Sequence, residues 1–431
     1  MTALRVAVVG AGWAGLAAAV RLVQLGAQVS VFELARTPGG RARQADGAAQ
    51  VLDNGQHILI GAYTATLALM RCVGADPGAL LLRQPLALVG ADGSGLRLPP
   101  GAPLPAFVRA VLAANHWPWP DRLALLVTAT RWWRRRFACP AGLTVQQLCA
   151  TLPPTVQHDL IEPLCVAALN TPMAGASASV FLRVLHDALF AGRGSADLLL
   201  PRAPLSALLP APAWHWLGAA GASLHAGHRV STLAAAGRGW QLDGQSFDAV
   251  VLACSATEAA RLCTGVNPAW AAAAAALRYE PIVTAWLRDA GLHSAQPMLA
   301  LRGGPQVPAQ FAFNLGQIHH AAASAGLWTL VASSAAPWLQ DGLAACGRAL
   351  LAQARAAFPG AFIGPDDQVL VHIAAERRAT FACTPALLRP AQAIAPGLIA
   401  AGDHVQGPYP ATLEGAVRSG LAAADSLHPG R

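Results

Sequence analysis

Lysine is missing from this chain: all 30 basic residues are arginine, set against 22 acidic ones, for a formal net charge of +8. A GC-rich coding bias accounts for that more simply than any arginine-specific role. Charged residues make up only 12% and hydrophobic ones 54%, enough to bury a large core. The arginines are scattered and no aromatic-interleaved basic patch appears, which disfavours nucleic acid as a partner. An anionic membrane surface suits a basic, apolar protein better. Among the 13 histidines there is no H-E-x-x-H or other metal spacing, so no catalytic metal is expected. The absence of a G-x-S-x-G elbow argues against a hydrolase of that type. The 8 cysteines form no C-x-x-C and read as reduced, buried packing residues of a cytoplasmic protein. Uncharged stretches such as 303–340 are broken by Gly, Pro, Gln and His, and none is a credible membrane span of about 20 residues. No internal repeat is evident.

What the chain does have is a nucleotide-binding start. Val6, Ala7, Val8 and Val9 read as a short buried strand, followed by Gly10, Gly12 and Gly15 in G-x-G-x-x-G spacing and an apolar helical run. The first glycine permits the tight turn, the second admits a pyrophosphate, and the third packs helix on strand. The helix's first amides then face the phosphates. A second strand over 29–32 ends at Glu33, about twenty residues on, where an acid holds a ribose hydroxyl. This apolar start is therefore part of the fold and no signal peptide.

The 431 residues suit two or three domains. After a Pro-Gly-Gly turn come Gly40, Arg41 and Arg43, then a loop carrying Asp53, Asn54, Gly55, Gln56 and His57, then a helix over 64–73. A hairpin is expected over 84–98 around a turn at 90–93. From 103 to 189 the pattern is helical; Phe107, Val108, Val111 and Leu112 share a face, and Asp121 is the candidate N-cap of a helix running to Phe137. That helix ends in Arg131-Trp132-Trp133-Arg134-Arg135-Arg136. Two readings stand side by side: basic residues complementing the helix dipole, or an interfacial segment with Trp117, Trp119, Trp132 and Trp133 at headgroup level. Strands at 228–230 and 247–253 return to the nucleotide domain. Strands at 279–287, 298–302, 310–315, 327–332 and 369–373 supply a second sheet. A strand over 397–401 leads into Gly402 and Asp403, and a helix opens near Thr412 and runs to 426. The first domain is thus discontinuous.

The glycine motif, Glu33, Gly39-Gly40-Arg41 and the C-terminal GD-then-EGA-xx-SG pattern together resemble the flavin amine oxidase and phytoene desaturase superfamily. The resemblance implies an α/β fold: a discontinuous Rossmann-type FAD-binding domain (1–85, 196–262, 386–431), a helical, membrane-facing part (86–195) and a substrate-domain sheet (263–385). By position, Gly10, Gly12 and Gly15 would meet the FAD pyrophosphate and Glu33 the ribose. Arg41 would lie near a phosphate, Val230 would pair with adenine through its backbone, and Asp403 would hold the ribityl chain. Leu413, Glu414 and Gly415 would set a helix N-terminus under the flavin, where it stabilises negative charge. Asp53 to Tyr63 (DNGQHILIGAY), Glu162 to Pro172 (EPLCVAALNTP), Gly192 to Arg202 (GRGSADLLLPR) and Pro410 to Gly420 (PATLEGAVRSG) resemble the hydroxysqualene dehydroxylases over nearly the whole chain. One departure is His404, where that family leads one to expect Trp after the GD.

The activity so implied is reductive removal of an allylic hydroxyl from hydroxysqualene, giving squalene, water and oxidised FAD. A hydroxyl leaves only with a proton, and the cation-like carbon must be kept from water. His57, Asp53 and His404 are the candidate acids; Asp53 and Asn54 could equally shape a turn, and His57 could be a satisfied buried histidine. With no lysine and 3 tyrosines, amine oxidation is disfavoured. The rivals are a carotenoid-type desaturase or isomerase and a prenyl-lipid carrier of the GDP-dissociation-inhibitor type. No second nucleotide motif appears, so the electron donor that reloads the flavin is unidentified.

Overall fold

The computed structural model describes residues 3–45, 52–301, 307–319 and 321–427. Val51 and Arg302, the ends of two apolar runs, lie outside these. The strand Arg5–Val9 is buried from Val6 onward, as a central parallel strand with both faces covered must be. Around it a six-stranded sheet runs in the spatial order Ala393–Ala395, Leu398–Ala400, Ala249–Leu252, Arg5–Val9, Gln28–Glu33, Ser223–Ala226. All its pairings are parallel except the Ala393–Ala395/Leu398–Ala400 edge. Residues from both chain ends and the middle therefore meet in one sheet. The helix Trp13–Gln24 presents Ala14 and Ala17 to the last helix, Leu413–Ser426. The two approach so closely that a Cβ on Gly420 would stand 2.1 Å from the Ala14 carbonyl oxygen.

The strand expected at 228–230 is one turn out of place. Ser223–Ala226 enters the sheet, Gly227 turns at φ +71°, and the His228 amide donates to the Glu33 carbonyl at 2.8 Å. Likewise only Ala249–Leu252 of the 247–253 run joins this sheet; Phe247 closes an antiparallel meander of Leu233–Ala236, Gly239–Leu242 and Gln245–Phe247.

A second sheet is antiparallel, in the order Met298–Ala300, Phe311–Asn314, Leu327–Ala332, Tyr279–Arg288, Leu370–Phe381. Its last strand runs past the expected 373 to Phe381, while Val369 closes the short helix Asp366–Val369. Side chains alternate across the strands. Val283, Ala285 and Leu330 pack under the helix Leu343–Ala357, and Trp286, Phe311, Phe313 and Val331 face the helical region. There Asn170 ends the helix Glu162–Leu169 at φ +46°. Its amide nitrogen bonds the Glu280 carbonyl (3.1 Å) and the Thr380 hydroxyl (3.0 Å), and its oxygen accepts from the Ser334 amide (2.7 Å). That side chain fastens the helices to the sheet. The 192–202 motif is structural too: it supplies the strand Leu198–Pro201, and a Cβ on Gly61 would lie 1.8 Å from the Gly194 oxygen. The hairpin Ala87–Val89/Gly95–Arg97 and the helix Thr64–Cys72 stand where expected.

The helical region corrects two expectations. The helix Pro103–Ala113 buries Pro103, Ala106, Ala110 and Val111, whereas Leu112 is 42% exposed. The helix Trp119–Arg134 is preceded by Pro118 as N-cap; Asp121 sits in its first turn and accepts from the Thr155 hydroxyl. It stops three residues short of Phe137 because Arg136 and Phe137 take left-handed φ of +51° and +56°. Phe137 then folds back onto His186 and Phe190. All eight cysteines are free thiols; Cys72 is exposed and Cys139 and Cys254 are half-buried, so burial accounts for five of the eight.

Candidate active site

Ligands of open parallel sheets bind beyond the carboxyl ends of the strands, and the sequence-predicted residues gather there. Gly10 turns at φ +102°, and a Cβ on it would stand 2.7 Å from the Ala253 oxygen; one on Gly15 would stand 1.9 Å from the Gly10 oxygen. Gly12 is the open member: its nearest neighbour is Gly40 Cα at 3.9 Å. The helix that follows has no side-chain cap and no acid in its first turn, leaving its N-terminal amides uncapped by any side chain. Glu33, at the end of its strand, accepts from the amides of Ala11 (2.6 Å) and Ala35 (2.8 Å), and its two carboxylate oxygens keep further acceptor capacity. Gly40 (φ +61°) crosses against Gly12, and the Gly39 amide bonds the Ala11 carbonyl at 2.8 Å. Val230 is buried, and its carbonyl accepts from Arg261 Nη2 at 2.6 Å.

Arg41 and Asp403 come together from opposite ends of the chain, Nη2 to Oδ1 at 2.5 Å. Burial alone would raise the Asp403 pKa; the Arg41 guanidinium and then His404 outweigh it and hold the carboxyl well below the usual carboxylate range. Arg41 also donates to the Ala379 carbonyl (2.7 Å), reaching the long strand of the second sheet. His404 is buried rather than turned to solvent, with Nδ1 3.9 Å from Asp403 Oδ1, an ion-pair contact too long for a hydrogen bond. Its Nε2 has no hydrogen-bond partner among the described residues. An orphaned buried nitrogen, an uncapped helix start and an open glycine cradle are features that a bound dinucleotide would complete. The residues fit the group.

The 53–57 loop closes the site from the other side. Asp53 Oδ1 accepts from the Leu205 amide at 2.9 Å, yet burial dominates and pushes its pKa up to about 7. Asn54 Nδ2 bonds the Arg41 carbonyl (3.2 Å) and Glu376 Oε2 (3.0 Å). Gly55 turns at φ +92° against Thr284. Gln56 reaches only the His57 carbonyl, at 3.5 Å. His57 Nδ1 lies 3.3 Å from the Gly55 carbonyl, and burial lowers its pKa, so its ring is held neutral at neutral pH. Glu376 is a residue that sequence reasoning missed: the one carboxylate of the strand Leu370–Phe381, it ties the loop to the second sheet across the seam. Its isolation among apolar and basic neighbours was the available signal.

Two members of the expected cofactor set are spoken for. Glu414 accepts from the amides of Ala65 (3.0 Å) and Thr66 (2.9 Å), the Thr66 hydroxyl (2.7 Å) and Arg418 (2.7 Å), so its side chain caps the helix Thr64–Cys72. The Gly415 amide bonds the Thr412 hydroxyl at 2.9 Å, and a Cβ there would stand 1.8 Å from the Tyr409 oxygen. Leu413, the first residue of the last helix, is partly buried and packs against the core of the first sheet. Among the described residues no three His, Cys, Asp or Glu side chains gather as a metal site would require.

Residues 13–428 match the family described as flavin-containing amine oxidoreductase. The chain belongs to this family. It is a flavin-dependent oxidoreductase. Similar curated proteins are the hydroxysqualene dehydroxylases of Rhodopseudomonas palustris (31% identity) and Sinorhizobium fredii (28%), each aligned over 97% of both chains. A zeta-carotene desaturase of Arabidopsis thaliana is 31% identical over 118 residues, 26% of this chain and 21% of that one. An oxidoreductase from Methanosarcina mazei superposes with a TM-score of 0.74 at 16% identity, covering 98% of this chain and 100% of the other. That likeness is one of fold.

Proposed function

We propose that this protein is an FAD-dependent hydroxysqualene dehydroxylase of squalene and hopanoid synthesis, acting on an isoprenoid lipid at the inner face of a membrane and reloaded by a separate electron donor. The observation that carries the reading is likeness to two such enzymes over 97% of the chain. When bound, reduced FAD supplies the hydride. The chain's own part is threefold. The glycine turn, Glu33 and the Arg41–Asp403 pair hold the nucleotide. The aromatic face of Trp286, Phe311 and Phe313 supplies an apolar wall that excludes water from an allylic cation. A side chain must deliver a proton to the departing hydroxyl. Asp53 is a member of the candidate trio that still carries an acidic proton near neutrality, whereas His57 is held neutral; the His404 Nε2 is buried without a hydrogen-bond partner among the described residues.

The Asp53→Asn variant keeps an oxygen for the Leu205 amide and removes the acidic proton. Turnover should fall about 10²–10⁴-fold with flavin retained, and wild-type turnover should decline as pH rises through about 7. The variant's stability should move the opposite way to its turnover. A carboxyl whose folded pKa lies above its unfolded value costs stability as pH rises from about 4 to about 7. The variant should therefore melt a few degrees higher than wild type at pH 8 and not at pH 4. Unchanged turnover with flavin bound, or a larger loss from His57→Ala, would take the role from Asp53.

The desaturase reading is favoured by the zeta-carotene desaturase match, which covers only a quarter of the chain. A lipid carrier would have no use for an intact glycine cradle and Glu33.

A further inference from the structure

Six of the nine large hydrophobic side chains that stand exposed among the described residues lie on two adjoining helices. Trp119 (64% exposed), Leu123, Val127 and Trp133 (56%) belong to Trp119–Arg134, and Leu104 and Leu112 to Pro103–Ala113. At 100° per residue, positions 119, 123, 127 and 133 fall within about 120° of one helix face. Trp117 and Trp132 are elsewhere: both are buried, and Trp117 Nε1 bonds Asp159 at 3.1 Å. Trp132 and Leu125 join the same apolar cluster as Trp286, Phe311 and Phe313. The helix thus has a core-facing tryptophan and leucine on one side and an exposed apolar stripe on the other, where the Trp119 ring meets only the Arg122 guanidinium of its own helix among the ring contacts of the described residues.

Charge lies at one end of that stripe. Arg131, Arg134, Arg135 and Arg136 are exposed, and no hydrogen bond or ion pair engages the side chain of any of them among the described residues. Helix-dipole complementation accounts for one or two such cations, since the effect falls off within the last turn. It does not account for four unpaired guanidiniums beside two exposed indoles. No acid lies on the Pro103–Ala113 helix, and Asp121 is engaged by Thr155. Among the described residues no helix is long and apolar enough to cross a membrane.

We infer that this two-helix face docks the protein on a bilayer surface carrying anionic lipid headgroups. Trp119, Leu123, Val127 and Trp133 enter the interfacial zone, and the four arginines meet phosphates. This gives the proposed membrane partner a place on the molecule. It puts the apolar cluster that reaches the aromatic wall directly behind the lipid, the direction from which a hydrocarbon substrate arrives. The charge pattern selects an anionic bilayer over a second copy of a chain that is itself basic.

The test is co-sedimentation of the FAD-loaded protein with vesicles of phosphatidylcholine alone or with phosphatidylglycerol. Binding is expected to the anionic vesicles and to weaken with salt. Each arginine removed should weaken it about fivefold, so Arg134→Gln/Arg135→Gln/Arg136→Gln loses roughly a hundredfold. Trp119→Ala/Trp133→Ala should lose at least about tenfold. Flavin absorbance and squalene formation from detergent-dispersed hydroxysqualene should be unchanged in both variants, which separates this face from the reaction itself. No binding to anionic vesicles, equal binding by the variants, or a protein dimer abolished by the tryptophan substitutions would overturn the assignment.

Discussion

Gly15→Ala should leave the protein colourless. The new methyl group would stand 1.9 Å from the Gly10 carbonyl oxygen, a backbone atom that cannot swing aside as a side chain would. To admit it, the helix Trp13–Gln24 must lift from the strand before it, and the turn that aims the first amides must open. Overpacking of this kind costs about 1–3 kcal/mol or more. If it falls on the flavin-competent conformation, binding weakens by about a hundredfold. Gly12→Ala is the informative contrast. Its φ of −72° suits any residue, and nothing but Gly40 stands within 4 Å. That variant should melt like wild type and still bind flavin poorly, because the methyl fills the space the pyrophosphate approaches through. Absorbance after reconstitution, with melting temperature measured alongside, reads both effects. Full flavin content in Gly12→Ala would contradict the cradle.

Arg41→Ala is expected to cost about 2–3 kcal/mol of apoprotein stability at neutral pH, below the 3–5 of a fully buried pair. The guanidinium side chain is 41% exposed and partly screened, whereas the Asp403 side chain is 8% exposed and left without its cation. The pH dependence gives the effect its signature. Asp403 is held below the usual carboxylate range, so the pair stabilises the fold above the unfolded carboxyl pKa of about 4. That contribution is lost only as pH falls through the lower folded value. Removing Arg41 lets Asp403 protonate much earlier. The melting deficit should therefore be largest near pH 7 and shrink towards pH 4. A deficit independent of pH would mean that Arg41 acts through its bond to Ala379 instead.

The elements most legible in the sequence are those whose period is imposed by one local partner. The strand Arg5–Val9, the glycine turn and the helix Leu413–Ser426 with its Thr412 cap follow from spacing alone. Legibility fails where a contact hundreds of residues away decides. The strand Ser223–Ala226 is set by pairing with Gln28–Glu33, and its neighbour 228–230, more β-like in composition, is left out by the Gly227 turn. In the sequence Glu414 is one of three residues that open a helix under the flavin, and only the fold shows its side chain capping the helix that begins at Thr64. Burial sorts the four tryptophans into a core pair and an exposed pair, although the interfacial reading of the sequence treats all four alike. Glu376 is the sharpest case: its bond to Asn54 spans 322 positions, and a lone acid among apolar and basic neighbours is all that marks it locally.

The central claim is a reaction, and one anaerobic assay reaches it directly. Purified protein reconstituted with FAD, chemically reduced and given hydroxysqualene, should return squalene together with oxidised flavin, one squalene for each flavin that recovers its yellow absorbance. Unchanged hydroxysqualene with the flavin still reduced, while phytoene is desaturated by the oxidised enzyme, would contradict it.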